Sequence, residues 1–290
     1  MANLRSWLFV PGNQPRMLAK APTLGADVLL FDLEDSVPLA EKPRARELVA
    51  EAIRGLVGKN GLPLYVRVNA LQTGHCADDV AAVAVPGLVG IMLPKADSAE
   101  RVAEAESLLA RAEAAGLAKG TLKIVPIVET ALGLVRAFEI ASASARVAAV
   151  AFGAEDFALD MGLIRTREAD ELALARQTVA IAARAAGVGA LDMVYPWVDD
   201  EPGLIASAES GRRMGYRSKQ VVHPRQVAIV NRLLGSSPEE VAWAERVVAA
   251  YAAAEAGGRG AVSLDGNMID RPVVERARRI LASGGDRGEG

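Results

Sequence analysis

The chain has 290 residues, 51% of them hydrophobic, 24% charged and only 4% aromatic, with a net charge of −3 and a pI near 5.6. That balance sets up no long-range positive field, which argues against nucleic acid or an anionic membrane as the principal partner. The single cysteine, Cys76, excludes an internal disulfide and any paired-thiol metal site, as suits a reducing cytoplasm. At its start, Ser6 to Val10 is apolar but too short for a signal peptide and is halted by Pro11-Gly12. No later apolar run reaches the roughly 20 residues that a membrane span needs.

Short β-type runs recur along the chain at Trp7–Val10, Val28–Phe31, Leu64–Val68, Gly90–Leu93, Lys123–Val128, Val147–Phe152, Ala190–Val194 and Ser218–Val222. Most are continuously apolar, the pattern of parallel strands covered on both faces. Amphipathic stretches lie between them, clearest at Lys42–Leu56, Ala99–Ala115, Arg167–Ala186 and Glu201–Arg213. Shorter ones occupy Gln14–Ala21, Cys76–Ala84, Ala131–Ser142 and Pro224–Leu234. Eight strands, each followed by a helix, predict a closed (β/α)8 TIM barrel over residues 1–235. A doubly wound open sheet is the rival topology, but no G-x-G-x-x-G follows the first strand and no P-loop occurs.

Residues 236–290 read as a C-terminal helical extension, a lid belonging to the same structural unit. Ser237 can cap a helix over Pro238–Ala256, with Pro238 at its first position. Gly257-Gly258-Arg259-Gly260 breaks it, an acidic turn at Asp265-Gly266 follows, and a last helix covers Pro272–Leu281. The tail from Ser283 to Gly290, rich in glycine and charge, is expected to be disordered.

Catalytic groups of such barrels project from the C-terminal ends of strands. There the sequence places Asp32-Leu33-Glu34-Asp35, Arg67 and Asn69, Pro94-Lys95, Glu129-Thr130 and Glu155-Asp156. A solvated rim is the plain reading of any one of these. Gathered at one mouth, however, carboxylates repel unless a cation neutralises them, which points to a divalent metal. Oxygen donors without a His/Cys set favour a hard cation, magnesium first, with manganese as an alternative. His75 and His223 stand alone, and His223 reads as a structural hydrogen-bonding residue.

The segments Arg5-Ser-Trp-Leu-Phe-Val-Pro-Gly12, Phe31-Asp-Leu-Glu-Asp-Ser-Val37, Val66-Arg-Val-Asn69, Leu93-Pro-Lys95, Ile127-Val-Glu-Thr130, Phe152-Gly-Ala-Glu-Asp-Phe157 and His223-Pro224 together resemble the ordered motifs of the citrate lyase β-subunit family. That family belongs with malyl-CoA and citramalyl-CoA lyases in the aldolase/citrate lyase superfamily. The resemblance runs from about residue 5 to residue 280. It implies a TIM barrel, a Mg²⁺ ion and acyl thioesters of CoA or an acyl carrier protein as substrates. Position by position, it makes Glu129 and Asp156 the metal ligands, with Glu129 also meeting substrate. Arg67 becomes the substrate-binding arginine and Asp35 a further catalytic carboxylate, with Asp32, Glu34 and Glu155 as supports. Arg16 and Lys20, one helical turn apart, are candidates to meet CoA phosphates, although exposed helix charges usually do nothing specific.

The resemblance further implies a homo-oligomer, a trimer, in which Asp265 serves a neighbouring chain's site as general acid. The family pattern there is Asp-Gly-Lys-Met-Ile, and Asn267 replaces its lysine; a simple turn is the bland alternative for Asp265-Gly266. The implied reaction cleaves a 3-hydroxy-acid thioester into a keto acid and an acyl thioester. Two alternatives stay open: a metal-dependent aldolase or phosphoenolpyruvate-type enzyme acting on free keto acids, and a β-subunit active only within a citrate lyase complex.

Overall fold

A computed structural model describes residues 4–58 and 61–284. Its contacts separate into two compact units, Leu4–Arg232 and residues 233–284. The first contains a closed barrel of eight parallel strands in sequence order: β1 (Ser6–Pro11), β2 (Val28–Asp32), β3 (Leu64–Arg67), β4 (Leu88–Leu93), β5 (Lys123–Val128), β6 (Ala149–Phe152), β7 (Gly189–Asp192) and β8 (Ser218–Val221). The expected TIM barrel is therefore present, and the doubly wound alternative is ruled out by the pairing of β8 with β1.

Continuous apolar strands form because both faces are covered. Trp7, Val28, Leu30, Tyr65, Met92, Val125, Ile127, Ala149, Ala151 and Leu191 make one buried cluster. The residues next to them, such as Leu8, Leu29, Val66, Ile91, Ile124 and Val150, point to the other face by the two-residue period and are buried as well.

The surrounding helices are α1 (Pro15–Lys20), α2 (Lys42–Leu56), α3 (Cys76–Val83), α4 (Ala99–Glu113), α5 (Ala131–Val135), α6 (Ala137–Ser142), α7 (Ala154–Met161), α8 (Ala173–Ala185), α9 (Glu201–Met214) and α10 (Pro224–Leu234). Three differ from the sequence reading. The helix expected over Arg167–Ala186 begins only at Ala173. The Thr166 amide and hydroxyl donate to the Glu171 carboxylate, Arg165 donates to it too, and Ala169 takes a left-handed φ of 60°. These side-chain bonds compete with the helix ladder. The stretch over Ala131–Ser142 divides at Arg136 (φ −101°, ψ 14°). The acidic segment after β6, given no helix in the sequence reading, forms the first turn of α7.

β8 is polar in sequence yet buried. Lys219, fully enclosed, donates to Asp192 Oδ2 (2.9 Å), the Met193 carbonyl (2.9 Å) and Ser207 Oγ (3.1 Å). Arg176 completes the cluster with two bonds to the Asp192 carboxylate, 2.7 and 2.6 Å. Gln220 donates to the carbonyls of Phe152 and Asp192. Lys219, Asp192, Arg176 and Gln220 thus each have partners, the condition under which burial is tolerated.

The second unit holds α11 (Pro238–Ala256), a hairpin of β9 (Val262–Leu264) and β10 (Asn267–Ile269), and α12 (Arg271–Gly284). Ser237 and Glu240 form a capping box on α11, and Pro238 opens it. Ala244, Val247, Ile269, Val274 and Ala277 form its core. Of the tail expected to be disordered, residues 285–290 lie outside the described residues.

One buried pair ties α4 to the start of β6. The Glu113 carboxylate accepts both Arg146 guanidinium Nη atoms (2.7 and 2.8 Å) and the amides of Gly120 and Leu122. The Arg146 hydrogen bonds lead in holding its pKa down to about 2. Its stabilising effect is therefore present above the ordinary value of 4.5 and fades as pH falls toward 2. Glu113→Ala leaves buried Arg146 with only the half-exposed Glu106 as a charged partner and should cost about 3 kcal/mol in urea unfolding at neutral pH.

Candidate active site

The mouth is built on the carboxyl ends of β2 to β6. Asp32, the last residue of β2, is buried and pairs through both oxygens with Arg67 at the end of β3: Nε to Oδ1 and Nη2 to Oδ2, each 2.7 Å. Its oxygens also accept the amides of Glu34 (3.0 Å) and Ser36 (3.1 Å). Burial works to raise the Asp32 pKa, but the Arg67 charge and these donors outweigh it and hold the group ionised. The remaining Arg67 nitrogen, Nη1, lies 3.0 Å from both Glu34 Oε2 and Asp35 Oδ2, and the guanidinium rests over the Phe9 ring at 4.9 Å. The fork of Arg67 is thereby fixed by Asp32, with one nitrogen left toward the more exposed carboxylates.

The acidic loop after β2 is braced from behind. Buried Lys42 donates to the carbonyls of Leu33 (2.8 Å) and Glu34 (2.9 Å). Asn69 donates to Leu33 O (2.9 Å) and to Asp79 (2.6 Å), and Arg46 holds the other oxygen of Asp79 (2.7 Å). Asn69 therefore serves this brace.

Glu129 follows β5 and is only 4% exposed. Its Oε1 accepts the Lys95 amide at 2.6 Å. Burial first, then the neighbouring charge of Asp156, pushes its pKa up to about 7 against the pull of the Lys95 amide and Arg67. Burial likewise lifts Glu34 to about 8 over the pull of Arg67, with Asp35, Glu129 and Asp32 adding to the rise. Carboxylates from three segments thus repel one another at one place. Asp156, in the first turn of α7, is half-exposed and lies 3.8 Å from Lys95 Nζ.

Gly153, between β6 and α7, makes room for Glu129: a Cβ there would come within 2.4 Å of Glu129 Oε2 and 2.8 Å of Ile127 Cγ2. Among the described residues, no three His, Cys, Asp or Glu side chains gather to hold a metal. Two carboxylates, with water and substrate oxygens completing the shell, are nevertheless what Mg²⁺ ordinarily takes. Buried Glu129, given room by Gly153 and repelled by the half-exposed Asp156, fits such an ion.

The structure brings Arg67, Asp35 and Glu129 to one mouth, with Asp156 beside Glu129. Arg16 and Lys20 stand exposed on α1, after β1. Asp265 belongs to the second unit, at the hairpin turn, with φ 51° and an ion pair to Arg246. His223 accepts the Arg225 amide through Nδ1 at 3.2 Å. Sequence reasoning ranked Asp32 as a support and gave Lys95 and Gly153 no role. The available signal was position: each ends a strand or lies within two residues of a strand's end.

The sequence profile of the HpcH/HpaI aldolase/citrate lyase family matches residues 5–224. Citrate lyase subunit beta of Leuconostoc mesenteroides subsp. cremoris is 41% identical over 278 residues, 96% of this chain and 92% of that protein. Mitochondrial citramalyl-CoA lyase of Homo sapiens is 31% identical over 287 residues, covering 96% and 84%. Among solved structures, protein CitE of Mycobacterium tuberculosis in complex with magnesium, acetoacetate and coenzyme A superposes with a TM-score of 0.80 at 34% identity, over 98% of this chain and 99% of that one.

Filling the space at Gly153 should displace the Glu129 carboxylate. Gly153→Ala is expected to weaken Mn²⁺ binding, read by the electron spin resonance of free Mn²⁺, by about tenfold, since a few ångströms matter greatly in charge–charge energies.

Proposed function

The chain belongs to the HpcH/HpaI aldolase/citrate lyase family, and from that premise we propose that it is a magnesium-dependent carbon–carbon lyase acting on a 3-hydroxy-acid acyl thioester, of CoA or of an acyl carrier protein. The observation that carries this reading is the juxtaposition of a fixed arginine, Arg67, with a buried carboxylate, Glu129, whose charge is opposed by both burial and Asp156. Glu129 and Asp156 would hold the ion. Bound there, magnesium supplies Lewis acidity toward the hydroxyl and carboxylate oxygens of the substrate.

The chain's own residues account for the rest of the chemistry. Arg67, oriented by Asp32, presents Nη1 to the anionic oxygens of substrate, where preorganised donors lower the barrier most. Asp35, exposed beside it, takes up the hydroxyl proton. The bond between the carbinol carbon and the thioester α-carbon then breaks, leaving a keto acid and a thioester enolate. We assign protonation of the α-carbon to Asp265, carried at the hairpin turn of the second unit. Its Arg246 partner must release it before it can donate a proton. Arg16 and Lys20 are assigned to the phosphates of the thioester carrier.

We also infer a homo-oligomer, a trimer, in which Asp265 serves the neighbouring subunit. Support comes from exposed apolar side chains on adjoining helices: Val135 and Phe138 on α5 and α6, Leu159 on α7, Leu174 and Ile181 on α8. An apolar face of this kind marks a covered surface. The single buried thiol of Cys76 accords with a cytoplasmic setting, and no helix among the described residues is long and apolar enough to cross a membrane.

The purified chain with Mg²⁺ should release keto acid from at least one of citryl-, malyl- or citramalyl-CoA. Glu129→Ala and Asp156→Ala should abolish that turnover, and Arg67→Lys, which loses the bidentate fork, should lower kcat/KM by roughly a hundredfold. Cleavage of free keto acids with none of the thioesters would favour the aldolase alternative. Activity that appears only with added partner subunits would favour a complex-dependent β-chain.

Mixing inactive Asp265→Ala chains with inactive Glu129→Ala chains should restore partial activity once subunits exchange, because hybrid assemblies then contain sites with both groups intact. No recovery after verified exchange argues against a shared site.

A further inference from the structure

Lys95 is the residue at the mouth that touches both members of the proposed metal pair. Its backbone amide donates to Glu129 Oε1 at 2.6 Å, while its ammonium stands 3.8 Å from Asp156 Oδ1. Glu129 follows β5 and Asp156 lies on α7, so one residue after β4 links two separate elements. The adjacent amide of Ala96 donates to Ile127 O at 3.3 Å, clamping the same turn onto β5.

The backbone of Lys95 is held in an unfavourable state for this. Its φ is 50°, one of three positive-φ non-glycine residues among those described. For a lysine that conformation costs about 1–2 kcal/mol and persists only where surroundings impose it. The short bond to a buried carboxylate is such an imposition. The ammonium contact is of a different kind: at 3.8 Å, with both side chains about two-fifths exposed, it is loose and displaceable. A lysine is a mobile point charge on a flexible stem, suited to a contact that must come and go.

We propose that Lys95 is a positioning residue that acts as the resident counter-ion of the Glu129–Asp156 pair and yields Asp156 when a divalent cation arrives; this rests on the reading of those two carboxylates as the metal ligands. The amide fixes Glu129 whether or not an ion is bound. The ammonium offsets the repulsion between the carboxylates in the empty site and opposes entry of a second cation. Removing the charge therefore has two linked effects: the metal-free protein loses stability, and metal binds more tightly.

The test measures Mn²⁺ alone, by spin resonance of the free ion, on the full chain and on Lys95→Met, Lys95→Arg and Glu129→Ala. Lys95→Met should bind Mn²⁺ about 3- to 10-fold more tightly, the scale of a unit charge acting on a divalent ion across a few ångströms of solvated space. In EDTA it should melt below the parent chain, and saturating Mn²⁺ should close that gap. Lys95→Arg should stay near the parent in both respects. Lys95→Gln, neutral and shorter, should repeat the Lys95→Met result if that variant folds poorly. A residue with a merely structural role would loosen binding when replaced. Equal or weaker Mn²⁺ binding in the neutral variants, with Glu129→Ala clearly weakened, overturns the counter-ion role alone. Binding that Glu129→Ala leaves intact overturns the ligand assignment and the proposal with it.

Discussion

Negative charge gathered in a poorly solvated place is the constraint around which this mouth is arranged. Glu34 and Glu129 approach each other where burial already disfavours ionisation, with Asp156 beside Glu129, and the raised pKa values of Glu34 and Glu129 reflect that conflict. Positive partners answer it unequally. Asp32 is satisfied by Arg67 and by two amides, so it stays ionised although it is buried. Glu129 has one amide, a distant guanidinium and only the displaceable Lys95 ammonium, so its demand for a divalent cation is left open. A chain that neutralised every carboxylate internally would have no reason to bind a metal.

Such an arrangement holds only if the groups cannot relax apart, and the parts behind the mouth prevent that. Lys42 and Asn69 grip the carbonyls of the β2 loop, and Asp79, itself held by Arg46, in turn grips Asn69. The brace is made of largely buried, hydrogen-bonded polar groups, which fix geometry more narrowly than apolar packing does.

Sequence made the barrel legible because parallel strands covered on both faces leave continuous apolar runs, and even β8 was found through its spacing despite Lys219 and Gln220. Helix limits were less legible where short-range side-chain bonds intervened. Thr166 and Glu171 delay α8, a local competition that a periodicity count does not weigh. In the site, Arg67, Glu129 and Asp156 stood out as charges at strand ends. The division of labour among Asp32, Glu34 and Asp35 did not, since adjacent carboxylates look alike until burial and partners are known: Asp32 is enclosed, whereas the Asp35 side chain is 66% exposed. The roles of Lys95 and Gly153 depend on a backbone angle and a close approach, neither of which residue type alone declares.

The cluster of Lys219, Asp192, Arg176 and Ser207 lies where β7 meets β8, the last strand before the ring closes onto β1. Alternate residues of a strand face opposite sides, so a one-residue slip of β8 would turn Lys219 away from Asp192. The lysine charge would then be enclosed without a partner, and Asp192 would keep only Arg176 to offset its own. Apolar strands tolerate such slips comparatively well, because one aliphatic side chain replaces another. Here a misaligned ring carries the penalty of an unpaired buried charge, several kcal/mol by ordinary measure. The last consecutive joint of the ring therefore discriminates between correct and incorrect register through buried charge, as the Asp32–Arg67 pair does where β2 meets β3.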